Sequence, residues 1–246
     1  MRVLVFSDIH GNAVAFDAML ADVQGTAIDH MVCLGDVAQG GPQPAECLDR
    51  LASLRCPVVL GNTDQFLLNL DFIGQSAEPV TERQLEVRKW SLAQLQERHL
   101  GFIRSFQPTV ALPLDENGEL LCFHGSPSSF DDVLLPDTSE EEFERMIGNH
   151  WAPCMTGGHV HLQWLRRHGR SLFFNPGSVG LSYDHSVEGE EFRFDPWAEY
   201  LLLRVEGGRV GVEFRRVPFD PAEVIRTIEE SEMPNARESI ALWRTG

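Results

Sequence analysis

Five short apolar runs in this chain each end in a cluster that joins glycine to aspartate, asparagine or histidine. Residues 2–7 (RVLVFS) lead into Asp8-Ile9-His10-Gly11-Asn12, residues 31–34 (MVCL) into Gly35-Asp36, and residues 57–60 (PVVL) into the turn Gly61-Asn62-Thr63-Asp64. Residues 119–124 end in His124 beside Gly125, and residues 155–157 precede Gly158-His159-Val160-His161. Taken singly, each cluster reads as a satisfied structural residue. Taken together they do not fit a packed core, because so many buried polar groups would need partners. In open parallel sheets ligands bind beyond the carboxyl ends of the strands. Glycine allows the close backbone approach that crowding several ligands around ions requires. The pattern therefore predicts a sheet whose ligand-binding edge collects histidine, aspartate and asparagine side chains.

The spacing between these clusters predicts how they are carried. Ala13, Phe16, Met19, Leu20 and Val23 recur at helical intervals, and a second helix opens at Pro44 with Cys47, Leu48, Leu51 and Leu54 on one side. Strand, helix, strand, helix, strand is the order of a parallel α/β sheet. Thr81 and Gln84 make a capping box ahead of a stripe of Leu85, Leu92, Leu95, Phe102, Ile103 and Phe106. From residue 109 the pattern turns β-rich, with runs at 109–114, 119–124, 155–157, 171–175, 199–205 and 210–217. The Asn117-Gly118 and Gly207-Gly208 pairs are hairpin turns. A last helix opens at Asp220-Pro221, with Glu223 three residues past the cap. Two acidic stretches, 137–144 and 188–195, read as solvated loop or exposed helix face, with an active-site lid or partner surface as the alternative. The expectation is an α/β fold in which residues 1–246 form one domain of two packed mixed β-sheets flanked by helices.

A net charge of −17, from 37 acids and 20 bases, repels a phosphate backbone, so broad electrostatic binding to nucleic acid is not expected. A phosphate-ester substrate would need local cations, and bound metal ions supply them. No apolar run approaches the ~20 residues of a membrane span. The first residues do not read as a secretory signal. The five cysteines show no CxxC pair and read as reduced thiols, so the cytoplasm is the expected location.

SDIHGN at 7–12, GDVAQGGP at 35–42, GNTD at 61–64, FHGSP at 123–127, GGHVH at 157–161 and NPGSVG at 175–180 occur in this order. With these motifs the sequence resembles the calcineurin-like metallophosphoesterase superfamily over nearly its whole length. The NPGS segment is similar to that of its small bacterial and archaeal phosphodiesterases. The resemblance implies a four-layer αββα sandwich holding two divalent transition-metal ions (Mn, Fe, Co, Ni or Zn). Carried over, it implies that Asp8, His10 and His161 bind one ion and Asn62, His124 and His159 the other. Asp36 bridges both through its two carboxylate oxygens. Asn12, Asn62 and His124 are implied as phosphate contacts, although Asn12 reads equally well as a helix N-cap. Asn175 and Ser178 read as loop architecture near the metals. The implied activity is hydrolysis of phosphodiesters or activated phosphoesters by a water activated between the ions.

Two departures narrow the subgroup. Many members carry histidine after the asparagine of the third motif, as the acid for the leaving group, and here that position is Thr63. Its hydroxyl is far too weak an acid, so the catalytic acid is left unassigned, with His185 the first substitute. Protein Ser/Thr phosphatases carry a phosphate-gripping arginine in the second motif, and residues 35–41 contain none. The expected partner is a small phosphoester, nucleotide-like substrates included, with no membrane and with a homo-oligomer compatible with the sequence. A nucleotide phosphomonoesterase or pyrophosphohydrolase is the alternative enzyme. A non-catalytic scaffold on the same fold, like the phosphoesterase-fold subunit of retromer, is the alternative from another class.

Overall fold

The computed structural model describes residues 1–70, 80–114, 118–187 and 192–243. In chain order the strands are β1 (Arg2–Phe6), β2 (His30–Cys33), β3 (Val110–Pro113), β4 (Glu119–Cys122), β5 (Cys154–Thr156), β6 (Gln163–His168), β7 (Ser171–Pro176), β8 (Trp197–Glu206) and β9 (Arg209–Pro218). The helices are α1 (Ala13–Val23), α2 (Pro44–Leu54), α3 (Asn62–Leu68), α4 (Glu82–Ala93), α5 (Glu97–Ile103), α6 (Glu140–Ile147), α7 (Pro221–Glu230) and α8 (Ala236–Trp243).

The strands form two mixed sheets, ordered β2-β1-β8-β9 and β3-β4-β5-β7-β6. Alternation along β1 sends Val3 and Val5 to one face and Leu4 and Phe6 to the other. Val3 and Val5 join Val32, Leu201 and Leu203, and meet Val110, Leu120, Cys122 and Phe174 of the second sheet. Leu4, Phe6, Tyr200 and Leu202 instead pack under Phe16 and Met19 of α1 and Cys47 and Leu48 of α2. The outer face of the second sheet is covered by Phe143 and Ile147 of α6, which bury Met155 and Phe173. The layers thus run helix, sheet, sheet, helix, as the sequence implied. β1 and β8 are buried on both faces, which explains their near-continuous apolar runs, whereas β9 at the sheet edge buries neither face fully.

The structure departs from the sequence reading in several places. Residues 57–60 form only isolated parallel bridges, Val58 to Cys33 and Val59 to Gln107. Pro57 has no N–H to donate, and the chain turns into a helix at Asn62. The expected GNTD turn is the first turn of that helix, α3. β6 was not foreseen, because Arg166, Arg167 and His168 mute its alternation and it lies at a sheet edge where polar residues are tolerated. The acidic stretch at 137–144 runs into α6, which exposes Glu140, Glu141 and Glu142 in its first turn while burying Phe143. Helix α8 was also unforeseen. Gly207 and Gly208, with φ of 54° and 72°, close the β8–β9 hairpin between Glu206 and Arg209 as expected. Asn117 of the other expected turn, and residues 188–191 of the second acidic stretch, lie outside the described residues. No described helix is long and apolar enough to cross a membrane.

Candidate metal centre

The strand ends converge at one edge of the sandwich, where the backbone takes an unusual course. Asp8, His10, Asp36, His159 and His161 all have φ between 48° and 70°. They are five of the eight described non-glycine residues in the left-handed region, which costs of order 1–3 kcal/mol per residue unless the surroundings impose it. The surroundings here are backbone hydrogen bonds between separate loops. Asp8 N donates to Gly35 O, His10 N to Asp36 O and Gly11 N to Val37 O, all at 2.9–3.0 Å. Ser178 Oγ and Gly180 N both donate to Asp8 O, and Asn175 Nδ2 donates to Gly158 O at 2.7 Å. Asn175 and Ser178 are therefore loop architecture, as read from the sequence. The left-handed turns let Asp8 and His10, or His159 and His161, leave a strand end with side chains presented to one small volume.

That volume leaves no room for a side chain at Gly61. A Cβ there would lie 2.0 Å from Asp36 Oδ1 and 2.6 Å from Asp36 N. Gly61→Ala should therefore destabilise the fold by about 1–3 kcal/mol and impair activity. Thermal denaturation checks this, and a wild-type Tm would contradict the close approach.

Asp8, His10, Asp36, His124 and His161 come together here, and Asn62 and His159 adjoin them through His124. Asp8 Oδ1 is 3.6 Å from His10 Nε2 and 3.3 Å from His161 Nε2. Asp36 Oδ2 is 3.7 Å from His10 Nε2 and 3.5 Å from His124 Nε2. His124 Nε2 lies 3.0 Å from Asn62 Oδ1, and the rings of His124 and His159 are 5.1 Å apart. The Nδ1 atoms of His10, His124 and His161 donate to the carbonyls of Gln39, Leu34 and Leu181, each at 2.8 Å. A carbonyl only accepts, so these bonds put the proton on Nδ1 and turn the Nε2 lone pairs inward. His10 Nε2 and His161 Nε2 consequently face each other at 3.0 Å. Asp8 Oδ1 is buried with no hydrogen-bond partner. The centre brings buried ring nitrogens and carboxylate oxygens of separate loops together in one volume. Two groups stand close enough to share an ion, their ligand atoms within 4.8 Å of one another: Asp8, His10 and His161, and Asp8, Asp36 and His124. Imidazole nitrogen mixed with carboxylate oxygen suits divalent transition ions, so the residues fit the implied metals.

The electrostatics agree. Burial would raise the carboxyl of Asp36, yet His124 and His10 outweigh it and hold it at about 2. Burial likewise opposes a charge on His124, but Asp36 and Asp8 push it up to about 10. Asp8 is held well below the usual carboxylate range by His161, His10 and His124, against its own desolvation. His159 is driven down to about 4, first by burial and then by its neighbour His124. Two buried carboxylates thus impose a demand for positive charge on the space between the rings.

The neighbouring residues refine the sequence reading. Asp36 Oδ1 accepts from Thr63 N at 2.9 Å, so only Oδ2 faces the histidines. Asn12 caps α1: Oδ1 accepts from Ala15 N and Nδ2 donates to Gly180 O, and of its two readings the cap is the one the structure shows. Thr63 Oγ1 is buried without a partner. Asp64 receives the N–H groups of Asp36, Val37 and Gly61 at 2.8, 3.0 and 3.2 Å, pinning the strained backbone of Asp36. Its carboxyl is raised to about 7 by burial and then by Asp36. Sequence reasoning missed this role, although the i+3 spacing from Gly61 was a legible capping signal. Tyr183 was missed altogether. Its ring sits 5.9 Å from His161 and stacks on His185 at 4.2 Å.

Comparison with known proteins points the same way. A relative described as an uncharacterized protein of Methanocaldococcus jannaschii is 26% identical over 190 residues, covering 74% of this chain and 71% of its own. The crystal structure of a metallophosphoesterase from Sphaerobacter thermophilus matches with TM-score 0.74 and 25% identity, covering 99% of this chain and 100% of that one. A hypothetical protein from Pyrococcus horikoshii OT3 shares the fold with TM-score 0.79 and 20% identity, covering 100% and 98%. Residues 1–193 match the calcineurin-like phosphoesterase superfamily domain, a span that carries every clustered side chain described above, and the chain belongs to that superfamily.

Proposed function

We propose that the protein hydrolyses phosphodiesters or activated phosphoesters at a centre that takes two divalent transition-metal ions, Mn, Fe, Co, Ni or Zn. The observation that carries this reading is the convergence of the Nε2 atoms of His10, His124 and His161 on the buried Asp8 Oδ1 and Asp36 Oδ2. Asp8, His10 and His161 would hold one ion and Asn62, His124 and His159 the other, with Asp36, whose Oδ2 faces both His10 and His124, shared between them. Such ions, when bound, polarise phosphoryl oxygens and acidify water. The chain's own part is to keep three imidazoles in one tautomer through the Gln39, Leu34 and Leu181 carbonyls and to hold Asp36 against Thr63 N. Asn62 and His124 border the phosphate. In this reading residues 1–246 act as one domain on a small phosphoester in the cytoplasm.

Metal analysis of protein purified without chelator, followed by a screen of phosphomonoesters and diesters with Mn, Ni, Co and Zn, tests the proposal. Diester hydrolysis with two bound ions is the expected result. Absence of metal uptake and of turnover would leave a scaffold. Turnover confined to nucleotide monoesters or pyrophosphates would favour the alternative enzyme.

The two ion sites are separable by mutation. His161→Ala should deplete chiefly the ion beside Asp8 and His10, and His159→Ala chiefly the ion beside Asn62 and His124. Crystal structures of the two variants losing the same ion would contradict the division.

A further inference from the structure

β9 forms one edge of the first sheet, and no strand among the described residues pairs with its outer side. The phase of the hydrogen bonds shows which of its backbone groups face outward. Met1 N donates to Val205 O and Val205 N to Met1 O, so the odd-numbered residues of β8 bond β1. Alternation then gives the even-numbered residues of β8 to β9. Tyr200 and Leu202 stand opposite Arg215 and Glu213, so the odd-numbered residues of β9 bond β8. Val210, Val212, Phe214 and Arg216 are left with N–H and C=O groups directed away from the sheet. An edge of this kind is a template for another strand.

The side chains along this edge are open as well. Val210 and Val212 pack partly into the core between the sheets, and Phe214, on the same face, is 36% exposed. Beneath β9 runs β6, whose Gln163 Nε2 donates to Tyr200 O and Arg215 O. Leu165 shares that face of β6 with Gln163 and is 44% exposed. Two of the four large apolar residues exposed among the described ones therefore lie on the edge strands that flank one margin of the sandwich. On the opposite face of β9, Glu213 and Arg215 are half-exposed and ion-paired at 2.6 Å.

The charges select the partner. When β9 meets a second β9 about a two-fold axis, the residue at the axis fixes every other pair. An axis at Val212 sets Arg209 against Arg215, one at Glu213 sets Glu213 against itself, and one at Arg215 sets Arg215 against itself. Of the axes through the middle of the strand, only the one at Phe214 is free of like charges, and it places Glu213 opposite Arg215 twice. Opposite charges directly across a ladder stabilise it, and like charges oppose it. This axis also uses the outward groups, since Phe214 would exchange both backbone bonds with its own copy and Val212 with Arg216.

We propose that β9 is a self-recognition edge, at which two copies of the chain pair antiparallel about Phe214. The pairing joins their two four-stranded sheets into one continuous sheet and buries both Phe214 rings. A contact of this symmetry closes on itself and stops at the dimer.

Sedimentation velocity of the full chain, read against concentration, tests this. The wild type should sediment as a dimer. Glu213→Arg, which sets like charges across the axis, should raise the dissociation constant more than about tenfold. The double variant Glu213→Arg/Arg215→Glu, which reverses both charges, should regain most of the loss. Phe214→Cys should give a disulfide-linked dimer on mild oxidation, because the Cα atoms of a hydrogen-bonded antiparallel pair lie ~5.5 Å apart, within disulfide reach. Val212→Cys, which faces Arg216 of the partner subunit, should stay unlinked, as should the wild type. A wild type that remains monomeric at about 100 μM, where even a weak interface is populated, would overturn the proposal. So would a dimer that Glu213→Arg leaves intact and Phe214→Cys does not link, which would place the interface elsewhere. If Glu213→Arg does not fold, the two cysteine variants decide the register by themselves.

Discussion

Asp36→Asn should reduce turnover by more than about 100-fold and lower metal occupancy at both sites, a larger loss than the ~10–100-fold typical of altering a residue behind the ligands. The substitution keeps the shape of the side chain, and its carbonyl oxygen can still accept from Thr63 N. What changes is the atom facing the rings. Oδ2, 3.7 Å from His10 Nε2 and 3.5 Å from His124 Nε2, is replaced by a neutral amide that directs N–H groups at the same point. The charge that offsets burial and raises His124 is lost with it. The fold should survive, because Asp64 still receives the backbone N–H groups of residues 36 and 37. Metal analysis alongside kcat checks the prediction. A variant that retains two ions and more than about a tenth of wild-type turnover would remove Asp36 from its shared role.

Aryl esters should be cleaved much faster than simple alkyl esters, with a strongly negative slope of log kcat against leaving-group pKa. Thr63 stands where a histidine acid would, and its hydroxyl is buried and too weakly acidic to protonate a departing alkoxide. Bis(p-nitrophenyl) phosphate, whose leaving group departs as an anion, is the natural fast substrate. Thr63→His should raise activity selectively on poor leaving groups, toward the ~10²–10⁴-fold of general acid catalysis. The adjacent Asp64 cannot support the new imidazole, because both of its oxygens already accept backbone N–H groups. The gain should therefore fall toward the lower end of that range. A flat leaving-group dependence in the wild type would mean that another side chain supplies the proton. His185, exposed on Tyr183 with Nε2 3.4 Å from His161 O, would be the residue to replace next.

What the sequence determined by itself were the features encoded over a few neighbouring residues. The apolar runs of β1 and β2, the 3–4 residue periodicity of α1 and α2, the Thr81–Gln84 capping box and the Gly207-Gly208 turn all express local backbone and side-chain preferences. The ligand-type residues were legible for the same reason, since each stands beside glycine at the end of such a run. Only the tertiary structure decided how those residues face one another. The tautomers of His124 and His161 depend on the carbonyls of Leu34 and Leu181, 90 and 20 residues away in sequence. The strained turn at Asp8 is tied by Ser178, 170 residues away. Which oxygen of Asp36 is free follows from the position of Thr63 N. Residues 57–60 look like a strand until Pro57 and the start of α3 limit them to two bridges, and β6 looks polar until the sheet edge accepts it. Hydrogen bonds and packing between segments distant in sequence carry no local periodicity, so the side chains present could be read from the chain, while their orientation required the fold.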